Sequence, residues 1–65
     1  MMRDLIVSEL RDHPAEYNAD DLVDVVMANG GGTAKVDPGE LKVELSRMIG
    51  TSVRLNPNNT LVATL

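Results

Sequence analysis

The spacing of apolar residues changes once along this chain of 65 residues, at Gly50. Before Gly50, apolar residues recur every three or four positions, which is the period of an amphipathic helix. After Gly50 they alternate with polar residues, which is the period of a strand covered on one face. A chain this short forms one domain, so both patterns must contribute to one core. We therefore predict a single α+β domain over residues 1–65, with helices first and a C-terminal two-stranded antiparallel hairpin.

The first two helices are predicted from their periodicity and their stop signals. The first spans roughly residues 2 to 12 and must end before Pro14. The second runs from about Ala19 to Asn29, with Asn18 as its N-cap and the glycines at 30–32 as its stop. Its apolar arc is wider than one packed face needs. The second helix is therefore either central to the fold or presents Val23 and Met27 to a partner.

The third helix has the clearest start signal in the sequence. Asp37 is the predicted cap, Pro38 occupies the first helical position and Glu40 completes a capping box. Gly50 supplies the stop. A brief extended segment over Thr33 to Val36 could precede this helix and pair with the hairpin.

The hairpin has two competing registers. Its predicted strands are Ser52 to Leu55 and Thr60 to Leu65. One register pairs Leu55 with Thr60, and the other pairs Asn56 with Thr60 and sets Leu55 opposite Leu61. We favour the second because it gathers the apolar side chains on one face and fits a type I turn followed by a left-handed residue.

The predicted core consists of aliphatic residues and methionine, without aromatic side chains. Such a small core favours dimerisation, which would bury additional apolar area. Its predicted members are Met2, Leu5, Ile6, Leu10, Leu22, Val25, Val26, Leu41, Leu45, Met48, Ile49, Val53, Leu55, Leu61 and Ala63.

Composition excludes several classes of chemistry. The chain has no cysteine, one histidine, one tyrosine and neither tryptophan nor phenylalanine. Disulfides, thiolate catalysis and cysteine-ligated zinc are therefore excluded. We expect a protein that is not an enzyme and takes no cofactor, metal or small-molecule substrate. Its apolar runs are too short for a signal peptide or a membrane span, so we expect a cytoplasmic protein without membrane contact.

Two sequence patterns resemble catalytic or metal sites. Glu9 and His13 lie one helical turn apart, which suits an acid–base dyad but equally suits a histidine favoured by a helix C-terminus and a nearby carboxylate. Asp20, Asp21 and Asp24 form a D-D-x-x-D pattern. First-turn acids also complement the helix dipole without a metal. In both cases we favour the structural interpretation.

The charge is divided unevenly. Residues 1–29 hold two basic and seven acidic side chains, for a net charge of −5, and residues 30–65 hold four basic and three acidic ones, for +1. These values sum to the net −4 of the whole chain. An acidic N-terminal half does not attract nucleic acid, whereas the C-terminal half could.

Three helices followed by a hairpin resemble, in element order, a winged helix-turn-helix domain. The resemblance implies that the third helix is a recognition helix and that Asn56 to Asn59 form the tip of a small wing. It also implies two functions, since winged helices bind either DNA or proteins. For DNA, the implied contacts come from Lys42, Ser46, Arg47 and Arg54 toward a groove, and from Lys35 toward the phosphate backbone.

The favoured function is a non-enzymatic binding module that acts through a protein partner or its own dimer. Val43 lies at the centre of the exposed face of the third helix, among charges of both signs, which suits a protein contact. The predicted protein interface therefore consists of Val23, Met27 and Val43. The alternative is a weak DNA-binding transcriptional regulator that uses the third helix and the hairpin.

Overall fold

Three helices and one antiparallel hairpin make up the fold. The computed structural model describes residues 2–30 and 36–64. The helices are α1 (Met2–Asp12), α2 (Ala19–Gly30) and α3 (Pro38–Met48), and the strands are β1 (Val53–Leu55) and β2 (Leu61–Ala63). The predicted α+β class and element order are confirmed. Both strands are shorter than predicted, and of the extended segment predicted over 33–36 only Val36 is among the described residues.

Side-chain caps begin α2 and α3. The side chain of Asn18 accepts a hydrogen bond of 2.8 Å from the amide of Asp21, as the cap prediction requires. Asp37 caps α3 through the amide of Gly39 at 3.2 Å, one position earlier than the amide of Glu40 that a capping box uses. Pro38 lies at the start of α3, where the missing amide hydrogen costs nothing.

The hairpin adopts the register that gathers its apolar residues on one face. Leu55 lies opposite Leu61, and Val53 lies opposite Ala63. The amide of Asn56 donates to the carbonyl of Thr60 at 2.8 Å, and Asn59 has a φ of 68°. The turn is thus closed by a left-handed residue, as predicted.

Hydrogen bonds join the hairpin to the segment between α1 and α2. The amide of Ala15 donates to the carbonyl of Leu61 at 3.1 Å, and the amide of Leu61 donates to the carbonyl of Tyr17 at 2.9 Å. Both polar groups of the Leu61 backbone therefore bond to residues more than forty positions earlier. This outer edge of β2 is paired with the connection rather than open to solvent.

Ten buried residues form the core, in one cluster contributed by all five elements. Most were predicted, including both buried leucines of α3. The cluster consists of Ile6, Leu10, Leu22, Val23, Val26, Leu41, Leu45, Met48, Val53 and Leu61.

Three predictions about packing are wrong. Val23 is only 4% exposed and belongs to the core, so its side chain is not accessible to a partner. Both α1 and α3 pack against α2, so the wide apolar arc of this helix is used internally. Leu55 was placed in the core but is 46% exposed, because it lies at the turn end of β1. Val25 was also placed in the core and is only half-buried.

Candidate functional site

The outward face of α3 is the main candidate site. Leu41, Leu45 and Met48 point into the core, so the opposite side of the helix faces solvent. Val43 lies at the centre of that side and is 52% exposed, in agreement with the helical spacing. Because it is exposed, the Val43 side chain does not contribute the stabilising free energy that burial of an apolar side chain provides.

A groove runs along this face, between α3 and the start of α1. Its volume is about 410 Å³. Met2 supplies a second apolar side chain on the α1 side. Three acids and one base surround these two apolar groups, so the groove is amphipathic with an excess of negative charge. The full lining is Met2, Asp37, Gly39, Glu40, Val43, Glu44 and Arg47.

Two of the residues proposed for DNA contact, Arg47 and Arg54, line different depressions. Lys42, Arg47 and Arg54 are all exposed. Arg47 lines the groove with the acids, whereas Arg54 lies on β1 opposite Val62 and lines a different depression. The predicted basic surface is therefore interrupted by acidic side chains.

Ser46 and Lys35 were also predicted to contact DNA. Ser46 is exposed, but its hydroxyl donates a hydrogen bond of 3.0 Å to the carbonyl of Lys42 within the same helix. Lys35 lies outside the described residues.

Met27, the remaining member of the predicted protein interface, is half-buried and packs against the core. It contributes to packing and does not line the groove beside Val43. Of the three predicted interface residues, only Val43 is exposed.

A polar cluster lies where α1 ends. The imidazole of His13 is 3.5 Å from the carboxylate of Glu9 and 3.3 Å from that of Glu16. The hydroxyl of Tyr17 donates to Glu9 at 3.1 Å, and its ring lies 5.6 Å from that of His13. The contact between Glu9 and His13 follows from their spacing. Glu16 and Tyr17 join because the chain turns back after Pro14, which helical spacing does not predict.

The environment of Tyr17 shifts its titration. Desolvation raises the pKa of the Tyr17 phenol, and the hydrogen bond to Glu9 raises it further. The negative charges of Glu9 and Glu16 act in the same direction. The phenol is therefore held neutral as a hydrogen-bond donor, which is a structural use of this cluster.

A second apolar depression was not foreseen from the sequence. Leu55 and Ile49 lie beside the first residues of α2, in a groove of about 330 Å³ that Asn59 also lines. Predicting it requires knowing which part of α2 lies beside the turn end of the hairpin. Alternation places Leu55 on the correct face but does not tell how far the covering helices reach.

Neither a metal centre nor a membrane span is found within 2–30 and 36–64. These segments hold no group of three or more histidines and acids placed to bind a metal ion. None of their helices combines the length and the apolar character that crossing a bilayer requires. Asp20, Asp21 and Asp24 are exposed in the first turns of α2, near the positive end of its dipole.

Comparisons of the chain with protein-family models, with curated proteins and with solved structures find no match. The order of three helices and a hairpin is consistent with a winged-helix-like arrangement. Function must therefore be inferred from the chemistry of the α3 face and its groove.

Proposed function

We propose that this protein is a small, non-enzymatic binding module with a winged-helix-like fold that acts through protein–protein contact. The contact surface is the outward face of α3 together with the groove beside it. One observation carries the proposal, which is that Val43 is 52% exposed at the centre of a helix whose other apolar residues are packed. An apolar centre with a charged rim is the composition of a protein interface.

Charge favours a protein over a nucleic acid as the partner. Asp37, Glu40 and Glu44 line the groove against the single base Arg47. Phosphates are repelled by such an excess of carboxylates, whereas a protein can offer basic side chains to them. The net charge of −4 acts in the same direction.

Site-specific photo-crosslinking tests the proposal. A benzophenone amino acid replaces Val43 in one variant and Asp24, an exposed residue of α2, in the control. Both variants are irradiated in the cells that produce the protein. We expect a discrete protein adduct from position 43 and none from position 24. Absence of an adduct at position 43, in a variant that circular dichroism shows to be folded, contradicts the proposal.

DNA binding is the second candidate, because Lys42, Arg47 and Arg54 are all exposed on α3 and the hairpin. Fluorescence anisotropy with a labelled duplex at about 50 and about 200 mM salt separates the two functions. We expect no binding at either concentration. Micromolar affinity that falls with salt and is lost in Arg47→Glu and Arg54→Glu would reverse the preference.

A further inference from the structure

We infer that the groove between α3 and the start of α1 binds a basic amphipathic helix of a partner protein. The inference rests on the proposed function, because it uses the same surface and states the chemistry of what binds there. The bound helix carries one apolar side chain toward Val43 and Met2, and lysines or arginines along one flank. The acids, the apolar pair and the single base of the groove each define one property of this helix.

The acids of the groove form one row along α3. Asp37, Glu40 and Glu44 are separated by three and then four positions, so their side chains leave α3 on the same side, and all three line the groove. No cation among residues 2–30 and 36–64 lies within ion-pair distance of Glu40 or Glu44. Glu44 is also half-buried, so its carboxylate is partly removed from water. Cations of a partner therefore find unpaired carboxylates along this flank.

Two apolar side chains lie beside the row of acids. Val43 is 52% exposed on α3, and the half-buried Met2 borders the groove from α1. One apolar side chain of a partner placed between them removes apolar surface of both from water. A groove between two helices that takes an apolar anchor is a recognised mode of binding an amphipathic helix.

The spacing of the acids favours a helix over an extended segment. Seven positions separate Asp37 from Glu44, which corresponds to about 10 Å along the axis of α3. Cations three and four positions apart on a partner helix cover the same distance. Three side chains on one face of an extended strand cover about 13 Å, so they would not stay in register with the acids.

Arg47 ends the row, three positions after Glu44, and lines the same groove. It repels a basic segment at the end of the groove where the acids stop. Removing an acid and removing this base should therefore have opposite effects on the binding of a basic helix. A role of the acids in the stability of α3 alone would not produce this contrast.

A synthetic peptide tests the inference. The probe is a fluorescein-labelled alanine-based helix of about 15 residues, with one central leucine and lysines three and four positions apart along one flank. One matched peptide has glutamate at every lysine position, and another has serine in place of leucine. Fluorescence anisotropy is measured at about 150 mM salt, where charges far from the groove are screened.

We expect the lysine peptide to bind with a Kd on the order of 100 µM, because one groove makes a small interface, and the glutamate peptide not to bind. Glu40→Lys and Glu44→Lys should each weaken binding roughly fivefold, and Arg47→Glu should strengthen it by a similar factor. Asp24→Lys and Arg54→Glu change the net charge by the same amounts at exposed positions outside the groove and should bind like wild type. Circular dichroism checks that every variant is folded.

Three outcomes overturn the inference. They are no binding of the lysine peptide up to about 1 mM, equal binding of the serine peptide, and equal responses of the groove variants and their controls. The photo-crosslink from position 43 separates this failure from that of the proposed function. Mass spectrometry should map its adduct to a basic helix of another protein. An adduct on an acidic or neutral segment, or one of twice the 7.0 kDa chain, overturns the inference and leaves protein–protein contact standing.

Discussion

Leu61 belongs to the buried core and also joins the hairpin to the connection between α1 and α2. Its side chain has no exposed surface, and it lies directly across the hairpin from Leu55, which is 46% exposed. Leu61→Ala should lower the free energy of unfolding by roughly 2 to 5 kcal/mol, because it leaves a cavity in the core. Leu55→Ala removes the same atoms from a half-solvated site and should cost well under half as much. Urea unfolding of both variants checks the difference, and equal losses would contradict the packing described for the hairpin.

Tyr17 makes stability depend on alkaline pH. The pKa of its phenol is raised above the ordinary value of about 10, so the folded state favours the neutral form. This contribution is complete below pH 10 and is lost as the pH rises through the raised pKa. Tyr17→Phe removes the donated bond to Glu9, so the variant should have a lower free energy of unfolding at neutral pH. Its free energy of unfolding should also change less with pH between about pH 9 and about pH 11. Urea unfolding across that range measures both effects, and parallel curves for the two proteins would contradict them.

At the scale of elements, three connections within the described residues use the left-handed backbone region. Ala15 has a φ of 59°, Asn59 of 68° and Gly50 of 96°. Glycine and asparagine accept this region readily, whereas alanine is strained there. Ala15 is held in place by its hydrogen bond to Leu61. The strained backbone of Ala15 thus makes one of the hydrogen bonds that join this connection to β2.

Ala15→Gly should therefore stabilise the protein, by about 0.5 kcal/mol after the added freedom of the unfolded chain is subtracted. The same change at Ala28, an exposed helical position in α2, should destabilise it by about 0.5 to 1 kcal/mol. Thermal unfolding of the two variants compares one chemical change in two backbone conformations. Destabilisation in both would show that the strain at position 15 is negligible.

The elements themselves could be predicted from the sequence because their signals are local. Asn18, Asp37 and Pro38 mark helix starts through groups within three residues of each cap. The hairpin register follows from alternation and from Asn59. The exposure of Leu55 and the burial of Val23 could not be predicted this way. Both depend on which neighbouring element covers a given face, and amphipathic spacing does not contain that information.

For the whole molecule, the candidate site was predictable only in part. Helical spacing alone places Val43 opposite the core stripe of α3. The groove needs Met2, more than forty residues away, and that contact depends on how the start of α1 lies against α3. The sequence divides its charge between an acidic and a near-neutral half, whereas on α3 side chains of both signs occur together. On α3 acids and bases alternate, in the order Glu40, Lys42, Glu44 and Arg47.

The pairing of Leu61 with Ala15 and Tyr17 also affects how the protein is made. These hydrogen bonds join a segment near the start of the chain to the last strand. Synthesis at about 5 to 20 residues per second separates the two by several seconds. Throughout that interval the backbone groups of Ala15 and Tyr17 that will bond to β2 lack these partners. The connection between α1 and α2 therefore completes its hydrogen bonding only after β2 has been made.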